Sequence, residues 1–304
     1  MEYLARRHGN LVMHKTMYNR SHQLKAAAGR MLRLIEGRPH AAGDLLVFNL
    51  HSTPERWMPK FDRWLRDLKR YYTLYSPDVF ESFYAENGSL PNPDKPGVVF
   101  TFDDGLRNNR HALEVLEQHG ARGLLFVVPD FYRSPRSEQE AYYRQHIRQQ
   151  PHPGLDGGDE EVQALSAEEL RNWAARGHTI GAHSFSHSMR ADDTDDKLLK
   201  ETIGAIEAIE ADTGVRPVHF CAPFDSLFST SERHMELLKP HIRFFHSTFP
   251  GSNSDQPNPL FIRRVNMELF WKAGAIDFAC SRLEWKRWRA QREAFNQRMF
   301  FNQV

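Results

Sequence analysis

The sequence predicts an α/β fold in which about seven parallel strands form a closed or nearly closed barrel. Short apolar runs alternate with helical patterns from residue 44 onward, and this alternation is typical of a parallel sheet. The runs are apolar on both faces, as strands covered by helices are. The chain has 304 residues, and a barrel of this class takes about 250. One barrel with helical terminal extensions therefore fits the length.

The strands are predicted from the apolar runs that follow one another along the chain. In order they are Leu45–Leu50, Val98–Asp103, Leu124–Val128, Thr179–His183, Val218–Pro223, Arg243–Ser247 and Phe261–Val265. Helical spacing fills most of the intervals between them.

The helices carry recognisable start and stop signals. Ser166 and Glu169 have the spacing of a capping box, and Ser229 and Glu232 have the same spacing before another helix. A long helix is predicted from about Asp195 to Thr213, where a glycine follows.

Three regions are predicted along the chain. Residues 1–40 form a basic helical extension, residues 41–270 form the barrel, and residues 271–304 form a basic amphipathic extension. Each extension carries one apolar stripe at helical spacing: Leu24, Ala28, Met31 and Ile35 in the first, and Trp285, Trp288, Phe295 and Met299 in the second. The preferred interpretation is that both stripes pack on the barrel. Peripheral contact with anionic lipid is the alternative.

Composition excludes several classes of protein. The chain has 40 basic and 39 acidic residues, so nucleic acid is not an expected partner. Two cysteines exclude a disulfide framework and are typical of a reducing compartment. No apolar run has the length of a signal peptide or of a transmembrane helix. These observations predict a soluble, cytoplasmic protein.

The sharpest local feature is the run VVFTFDDG, in which an apolar strand leads into Asp103, Asp104 and Gly105. Successive side chains of a strand point to opposite sides, so the two aspartates can reach different targets, for example a metal and a water. Gly105 permits a tight turn, and catalytic groups of barrels lie at this end of the strands. The alternative is that the aspartates only cap the next helix. One aspartate is enough for a cap, and two carboxylates after a buried strand are costly without compensation.

The second feature is the run GAHSFSH, which places His183 and His187 four residues apart at the end of a predicted strand. This is metal-ligand spacing, although solvated loop histidines are the alternative when the pair stands alone. Together with a strand-end carboxylate, two imidazoles leave one position open on a zinc-type ion. That arrangement is typical of catalytic rather than structural sites.

TFDDG (Thr101–Gly105) and HSFSH (His183–His187) together resemble the first two motifs of the polysaccharide deacetylases, the NodB-type family of carbohydrate esterases. The resemblance covers roughly residues 44–270. It implies a distorted (β/α) barrel, a divalent metal and hydrolysis of N-acetyl groups on amino sugars. It also implies that Asp103 is the catalytic base and that Asp104, His183 and His187 are the metal ligands. Zinc is the expected metal, with cobalt, nickel and manganese as alternatives.

The third motif departs from the family pattern. Many members carry Arg-x-Pro-Tyr/Phe, in which the arginine orients the base, whereas this chain has Cys221-Ala222-Pro223-Phe224. Pro223 and Phe224 match, and the family implies that the backbone N–H of Phe224 helps to bind the oxyanion. Cys221 stands at the arginine position and is interpreted as a small buried residue. The support of Asp103 must then come from elsewhere in the chain.

The residues that complete the site are less defined by the sequence. The Leu-x-His strand that usually supplies the family's general acid is not found. His246, at the end of a predicted strand, is the candidate for protonating the leaving amine, with a core histidine as the alternative. Arg263 and Arg264 are candidates for contacting a substrate phosphate or carboxylate, or for pairing with acidic residues at the rim.

The resulting hypothesis is a metal-dependent hydrolase that removes an acetyl group from an N-acetylated sugar. A cytoplasmic location suggests a nucleotide-linked or lipid-linked precursor, as in surface-polysaccharide or O-antigen assembly. Two alternatives stay open. One is another amide or ester hydrolase on the same scaffold, and the other is a catalytically impaired sugar-binding homologue.

Overall fold

The computed structural model describes residues 23–148 except 33 and 36–39, residues 162–224, and residues 229–301. Residues 1–22 of the predicted N-terminal extension therefore lie outside the described residues. The strands, in chain order, are β1 (Leu45–Leu50), β2 (Thr73–Leu74), β3 (Gly97–Phe102), β4 (Gly123–Val127), β5 (Thr179–Ala182), β6 (His219–Cys221), β7 (Phe244–His246) and β8 (Val265–Asn266).

All these strands belong to one parallel sheet. Its order is β7-β6-β5-β4-β3-β1-β8, and the short β2 pairs with the first residues of β3. The two edges of the sheet meet, because His246 of β7 forms a parallel bridge with Ile262, three residues before β8. The Ser247 backbone N–H also donates to the Ile262 carbonyl at 2.8 Å. The sheet is thus curled into a distorted (β/α) barrel, and the predicted fold class is confirmed.

Helices cover the outside of the sheet. They are α1 (Met58–Lys69), α2 (Val79–Ala85), α3 (Asn109–Gln118), α4 (Pro129–Arg133), α5 (Gln139–Tyr142), α6 (Ala167–Ala175), α7 (Asp195–Leu199), α8 (Ala205–Thr213), α9 (Glu232–Leu238), α10 (Ala273–Ala279), α11 (Arg282–Arg287) and α12 (Arg289–Asn296). Tyr143–Ile147 and Lys200–Gly204 are π-helical turns. Among the residues described, none of the helices combines the length and the apolar character that a membrane crossing requires.

Alternate residues of the strands face the barrel interior and the helical layer. In β1, Leu45 and Val47 pack in an inner cluster, whereas Leu46, Phe48 and Leu50 pack in the outer cluster under the helices. Beyond Val47 the inward positions of β1 are polar. The interior of the barrel is therefore apolar toward the amino ends of the strands, the lower interior, and polar at the mouth, where the strands have their carboxyl ends.

The predicted helix starts are partly confirmed. Ser166 and Glu169 form the capping box in both directions, with Ser166 Oγ accepting from the Glu169 backbone N–H at 3.2 Å. The prediction for Ser229 is wrong, because α9 begins one residue after Ser231, which is the N-cap and pairs with His234. The predicted long helix is interrupted by the π-helical turn between α7 and α8.

The N-terminal helix packs differently from the prediction. Residues 23–32 are helical, but Leu24, Met31 and Ile35 are 72%, 63% and 69% exposed. The packed face is formed by small residues: a Cβ built on Gly29 would lie 1.8 Å from the carbonyl oxygen of Gly274 in α10. Close backbone approach thus decides the orientation of this helix, and the apolar stripe is left facing outward.

The C-terminal helices pack as their amphipathic pattern predicts. Phe295 and Met299 are buried in the outer core cluster, and Trp285 and Trp288 lie partly buried against it. Phe295 stacks on Phe261, just ahead of β8. The C-terminal extension is therefore joined to the last part of the barrel wall.

Candidate metal centre and active site

Three potential metal ligands converge at the mouth of the barrel. Asp104 follows β3, and His183 and His187 lie in the loop after β5; all three are buried. Their ligand atoms lie within 4.8 Å of one another. The Asp104 Oδ1 atom is 3.6 Å from His183 Nε2 and 3.4 Å from His187 Nε2. Tetrahedral ligands bound at about 2.1 Å are roughly 3.4 Å apart, so the set fits a zinc-sized cation.

The two imidazoles are oriented by backbone carbonyls. His183 Nδ1 is 2.9 Å from the Cys221 carbonyl oxygen, and His187 Nδ1 is 3.1 Å from that of His146, in the π-helical turn after α5. A carbonyl only accepts, so each Nδ1 carries the hydrogen and each Nε2 presents its lone pair to the centre. This is the arrangement found around metal-binding histidines.

The backbone around the centre is strained. Asp104, Ser184, His187 and Phe224 have φ angles of 74°, 58°, 58° and 59°, a region that residues with a Cβ rarely adopt. Gly105, with φ of 67°, makes the tight turn that the sequence predicts after the aspartates. Each such non-glycine residue costs on the order of 1–3 kcal/mol. The concentration of these residues here indicates a functional site.

The histidine loop is held by a residue that sequence reasoning missed. Glu201, 1% exposed, accepts hydrogen bonds from the Ser186 backbone N–H at 3.0 Å and the Ser186 hydroxyl at 2.5 Å. Its backbone carbonyl also accepts from the Phe185 N–H. Glu201 thereby fixes the segment between the two histidines.

Burial and neighbouring charges set the ionisation of the ligands. Burial lowers the pKa of His183 to about 4, so this imidazole is neutral at pH 7 and available as a ligand. Burial alone would raise the pKa of Asp104. The neighbouring imidazoles of His187 and His51 outweigh burial and hold it below its ordinary value.

Asp103 is clamped by a buried arginine. Arg264 donates from Nη1 to Asp103 Oδ1 at 2.7 Å and from Nη2 to Oδ2 at 3.1 Å, and Asn49 donates to Oδ2 at 3.0 Å. Burial would raise the pKa of the Asp103 carboxyl, but the Arg264 guanidinium lowers it below its ordinary value. Asp103 is therefore a charged and rigidly oriented carboxylate beside the three potential metal ligands.

The location of Arg264 corrects the prediction of a substrate-contacting side chain. It is 2% exposed and reaches Asp103 from inside the barrel, just before β8. Its Nη2 lies 2.7 Å from the Sγ of Cys221, the residue at the family's arginine position. The guanidinium missing from the third motif thus enters the same region from another strand. Burial keeps the Cys221 thiol protonated by raising its pKa, in line with an inert buried residue.

Arg263 lies away from the candidate centre. It is the neighbour of Arg264 in the chain and points to the opposite side of the wall, where Nη1 donates to the Ser252 and Asp255 carbonyl oxygens. Successive residues of an extended segment face opposite sides, which explains why the two arginines separate. Arg263 is not a substrate contact at this mouth.

His246 is also separated from the centre, which corrects its assignment as the general acid. It is 0% exposed, and its ring packs on Phe80 and Phe126 with its Nε2 3.0 Å from His219 Nδ1. Burial lowers the pKa of His246 well below its ordinary value. Its inward position on β7 places it in the lower interior, where no substrate has access.

A different histidine stands at the mouth. His51 follows β1 and is partly exposed, and its Nδ1 lies 3.1 Å from Oε1 of the buried Glu268. Leu50 pairs with Phe102, so His51 stands one residue further along, beside Asp103. Burial would lower the pKa of His51, but Glu268, together with Asp104 and Asp103, raises it to about 9. Sequence reasoning missed this pair.

The Pro223–Phe224 segment lies at the same mouth. Pro223 is buried, and the 48% exposed Phe224 packs edge-on against His187 with the ring centroids 4.6 Å apart. The structure therefore gathers Asp103, Asp104, His183, His187 and Phe224 at one mouth.

Comparison with known proteins agrees with this arrangement. A family model described as "polysaccharide deacetylase" matches residues 91–239, the part that contains the aspartate and histidine motifs. No curated protein matches the sequence.

Several solved structures share the fold at low sequence identity. PplD, a deacetylase from Streptococcus pyogenes solved in complex with acetate, is 14% identical, with a TM-score of 0.57 over 78% of this chain and 98% of PplD. The BpsB deacetylase domain from Bordetella bronchiseptica is 15% identical, with a TM-score of 0.56 over 75% of this chain and 97% of that domain. IcaB from Ammonifex degensii is 19% identical, with a TM-score of 0.54 over 79% of this chain and 99% of IcaB. With the two motifs and the family model that matches residues 91–239, these findings support assignment of the chain to the polysaccharide deacetylase family, whose fold it shares.

Proposed function

We propose that this protein is a metal-dependent hydrolase that removes the acetyl group from an N-acetylated sugar. One observation carries the proposal: Asp104, His183 and His187, three potential metal ligands, lie beside a carboxylate, Asp103, that is clamped by a buried arginine. A metal site alone serves many purposes. A charged, oriented carboxylate next to it is what activation of a water requires.

The three ligands are proposed to hold a divalent cation. Both imidazoles present Nε2 and the carboxylate adds one oxygen, so zinc suits the donor set, and cobalt, nickel and manganese are the alternatives. When bound, the cation polarises the acetyl carbonyl and lowers the pKa of a water.

Asp103 is proposed as the general base. It takes a proton from the attacking water, whose oxygen forms a bond to the acetyl carbon. Arg264 and Asn49 leave the carboxylate little freedom to turn, so it stays aligned with the water. The Phe224 backbone N–H, in a strained left-handed conformation at the mouth, is proposed to donate to the oxyanion.

His51 is proposed as the general acid in place of His246. The C–N bond breaks as His51 gives a proton to the nitrogen, which yields acetate and a free amine. Its accessible position beside Asp103 and its pairing with Glu268 support this role. Glu268 orients the ring and favours its protonated form.

Acetate release from N-acetylated glucosamine oligosaccharides tests the proposal. The metal-loaded protein is expected to release acetate, and Asp103→Asn is expected to reduce the rate by about 10²–10⁴-fold, the usual contribution of a positioned base. Asp62→Asn, which changes a helix-surface carboxylate paired with His119, is the control and keeps the wild-type rate. Undiminished activity of Asp103→Asn would contradict the proposal. Cleavage of O-acetylated but not N-acetylated sugars would favour the ester-hydrolase alternative, and no release from either would favour a binding protein.

The acid role makes a separate prediction. His51→Gln and Glu268→Gln should slow amide hydrolysis by about 10²-fold or more, yet affect 4-nitrophenyl acetate little, because nitrophenolate leaves without a proton. His119→Gln removes a histidine from another carboxylate pair and serves as the matched control. An equal loss on both substrates would show that His51 supports the fold rather than the leaving group.

The nucleotide or lipid linkage of the sugar stays a prediction, as do a role in surface-polysaccharide assembly and a cytoplasmic location. The location rests on the two cysteines, a number typical of a reducing compartment, and the linkage and the pathway follow from that location. Saccharides that carry such linkages, offered in the same acetate assay, test the first of these points.

A further inference from the structure

A cavity lies on the outer side of the barrel wall, with part of its lining near the amino end of β1, away from the candidate active site. It has a volume of about 410 Å³ between the segment before β8 and the C-terminal helices α11 and α12. Ser252 in its wall hydrogen-bonds Asp44, directly before β1, whereas the candidate active site follows the end of β1. Six residues of strand separate the two levels, or about 20 Å.

The cavity has an excess of positive charge. Its wall contains the acids Asp255 and Glu293 and five basic residues: Arg263, Arg282, Lys286, Arg289 and Arg292. Arg289 pairs with Glu293 at 2.7 Å. Arg263 and Arg292 are both attracted by the carboxylate of Asp255.

The positions of Arg263 and Arg292 cost free energy, because their charged groups are buried or partly buried close to each other. Arg263 is 4% exposed, and the part of the chain that the structure describes offers its guanidinium two backbone carbonyls but no ion pair. Arg292 is partly buried and donates to the Pro250 carbonyl at 3.1 Å. A Cβ built on Gly251 would meet both side chains within 3.0 Å, so they converge on one point. Burial and the charge of Arg292 lower the pKa of Arg263. The two positive charges share the Asp255 carboxylate, and the buried Nε of Arg263 has no hydrogen-bond partner among the described residues, so an external anion would complete their compensation.

The remaining wall indicates what kind of anion fits. Trp285 and Phe261 add apolar surface beside the guanidinium groups. Arginine pairs bind phosphate oxygens in bidentate fashion, and the volume exceeds that of a phosphate group alone while lying in the usual range for small ligands. We propose that this cavity is a binding site for a phosphorylated small molecule, such as a sugar phosphate. The site is separate from the deacetylase centre and does not depend on the proposed function.

Calorimetric titration of the full chain with glucose 1-phosphate tests the proposal, with inorganic phosphate and glucose as comparison ligands. One ligand per chain is expected, and Arg292→Gln and Lys286→Gln are each expected to weaken binding at least tenfold. Arg287→Gln is the matched control, since Arg287 is exposed on α11 next to Lys286, pairs with Glu284 and does not line the cavity. Equal binding of inorganic phosphate would support an anion site that recognises the phosphate group alone.

A further variant distinguishes binding in this cavity from binding at the candidate active site. Asp104→Ala, which removes a proposed metal ligand, should bind glucose 1-phosphate as the wild type does. Lost binding in Asp104→Ala would place the anion at the active site and overturn the proposal. No binding to the wild type at 10 mM, a concentration of about ten times a weak millimolar Kd, would overturn it as well. So would equal weakening by Arg292→Gln and Arg287→Gln, which indicates an adventitious ion only.

Discussion

An Arg264→Met variant is expected to lose about 3–5 kcal/mol of folding free energy, together with most of its hydrolytic activity. The reason is that Asp103 would remain buried and charged without its partner, which is the costly way to break a buried ion pair. Both carboxylate oxygens now receive hydrogen bonds from that guanidinium. Denaturant unfolding measures the first effect, and acetate release measures the second.

The pH dependence of this variant gives a third measure. Arg264 lowers the pKa of Asp103, so its removal raises that pKa. Since the base acts only when deprotonated, the acidic limb of the rate profile should move to higher pH. Arg263→Met changes the adjacent arginine, which binds no carboxylate among the described residues, and should leave this limb in place. A limb that moves equally in both variants would contradict the orienting role of Arg264.

A double variant probes whether the position of the guanidinium or its strand of origin matters. Arg264→Met combined with Cys221→Arg restores an arginine at the third motif of the family. Because Arg264 Nη2 already lies 2.7 Å from Cys221 Sγ, the new side chain would start next to the vacated space. Partial recovery of activity relative to Arg264→Met is expected. No recovery would show that an arginine at position 221 cannot replace the one that precedes β8.

An Asp104→Ala variant is expected to lose its metal, falling from about one ion per chain to a small fraction. Three ligands share the cation, and the carboxylate is the only one that brings a negative charge. Elemental analysis of the purified proteins measures the content, and acetate release should fall in parallel. Chelation should also lower the unfolding temperature of the wild type but not of the variant, because only the wild type gains stability from the bound ion.

Asp130→Ala is the matched control for this experiment. Asp130 lies near the same mouth in α4 and hydrogen-bonds the Tyr142 hydroxyl, but it is not one of the converging ligands. It should retain the ion. Equal metal content in Asp104→Ala and the wild type would show that the proposed ligand set is wrong.

The convergence of Asp104, His183 and His187 was predictable because local pattern and topology agree. An apolar run that ends in Asp103 and Asp104 marks the end of a buried strand, and His183 marks the end of another. In a parallel sheet these ends must meet at one edge. The observed pairing of β3, β4 and β5 brings them there, and the two runs need no long-range information beyond strand direction.

Arg264 and the His51–Glu268 pair were not predictable in the same way. Arg264 and Asp103 are 161 positions apart, and β8 has only two residues, too few for a recognisable strand pattern. One signal was present: Arg264, Asn266 and Glu268 recur at every second position, as inward-facing residues of a strand do. Such polar alternation in a barrel strand indicates an interior that holds a charge network.

The N-terminal helix shows a different limit of pattern reasoning. Its apolar stripe indicates a buried face, but Gly29 and Gly274 allow the two backbones to approach so closely that the glycine face packs instead. Hydrophobic periodicity measures what a helix gains by burial and not how near a neighbour can come. The positions of glycine and other small residues indicate where a neighbouring backbone can approach closely.

Closure of the barrel has a consequence for how this protein would be inactivated. The three potential ligands lie on loops after β3 and β5, near the middle of the sheet. The counter-ion of the proposed base enters from the closing edge, where a bridge and a few further backbone hydrogen bonds join β7 to the segment before β8. Fraying of that seam, by heat or by a protease cut near residue 260, would withdraw the guanidinium while the cation stayed in place. Such a molecule would still contain metal but would not hydrolyse its substrate. Metal content alone is therefore a poor measure of the intact enzyme.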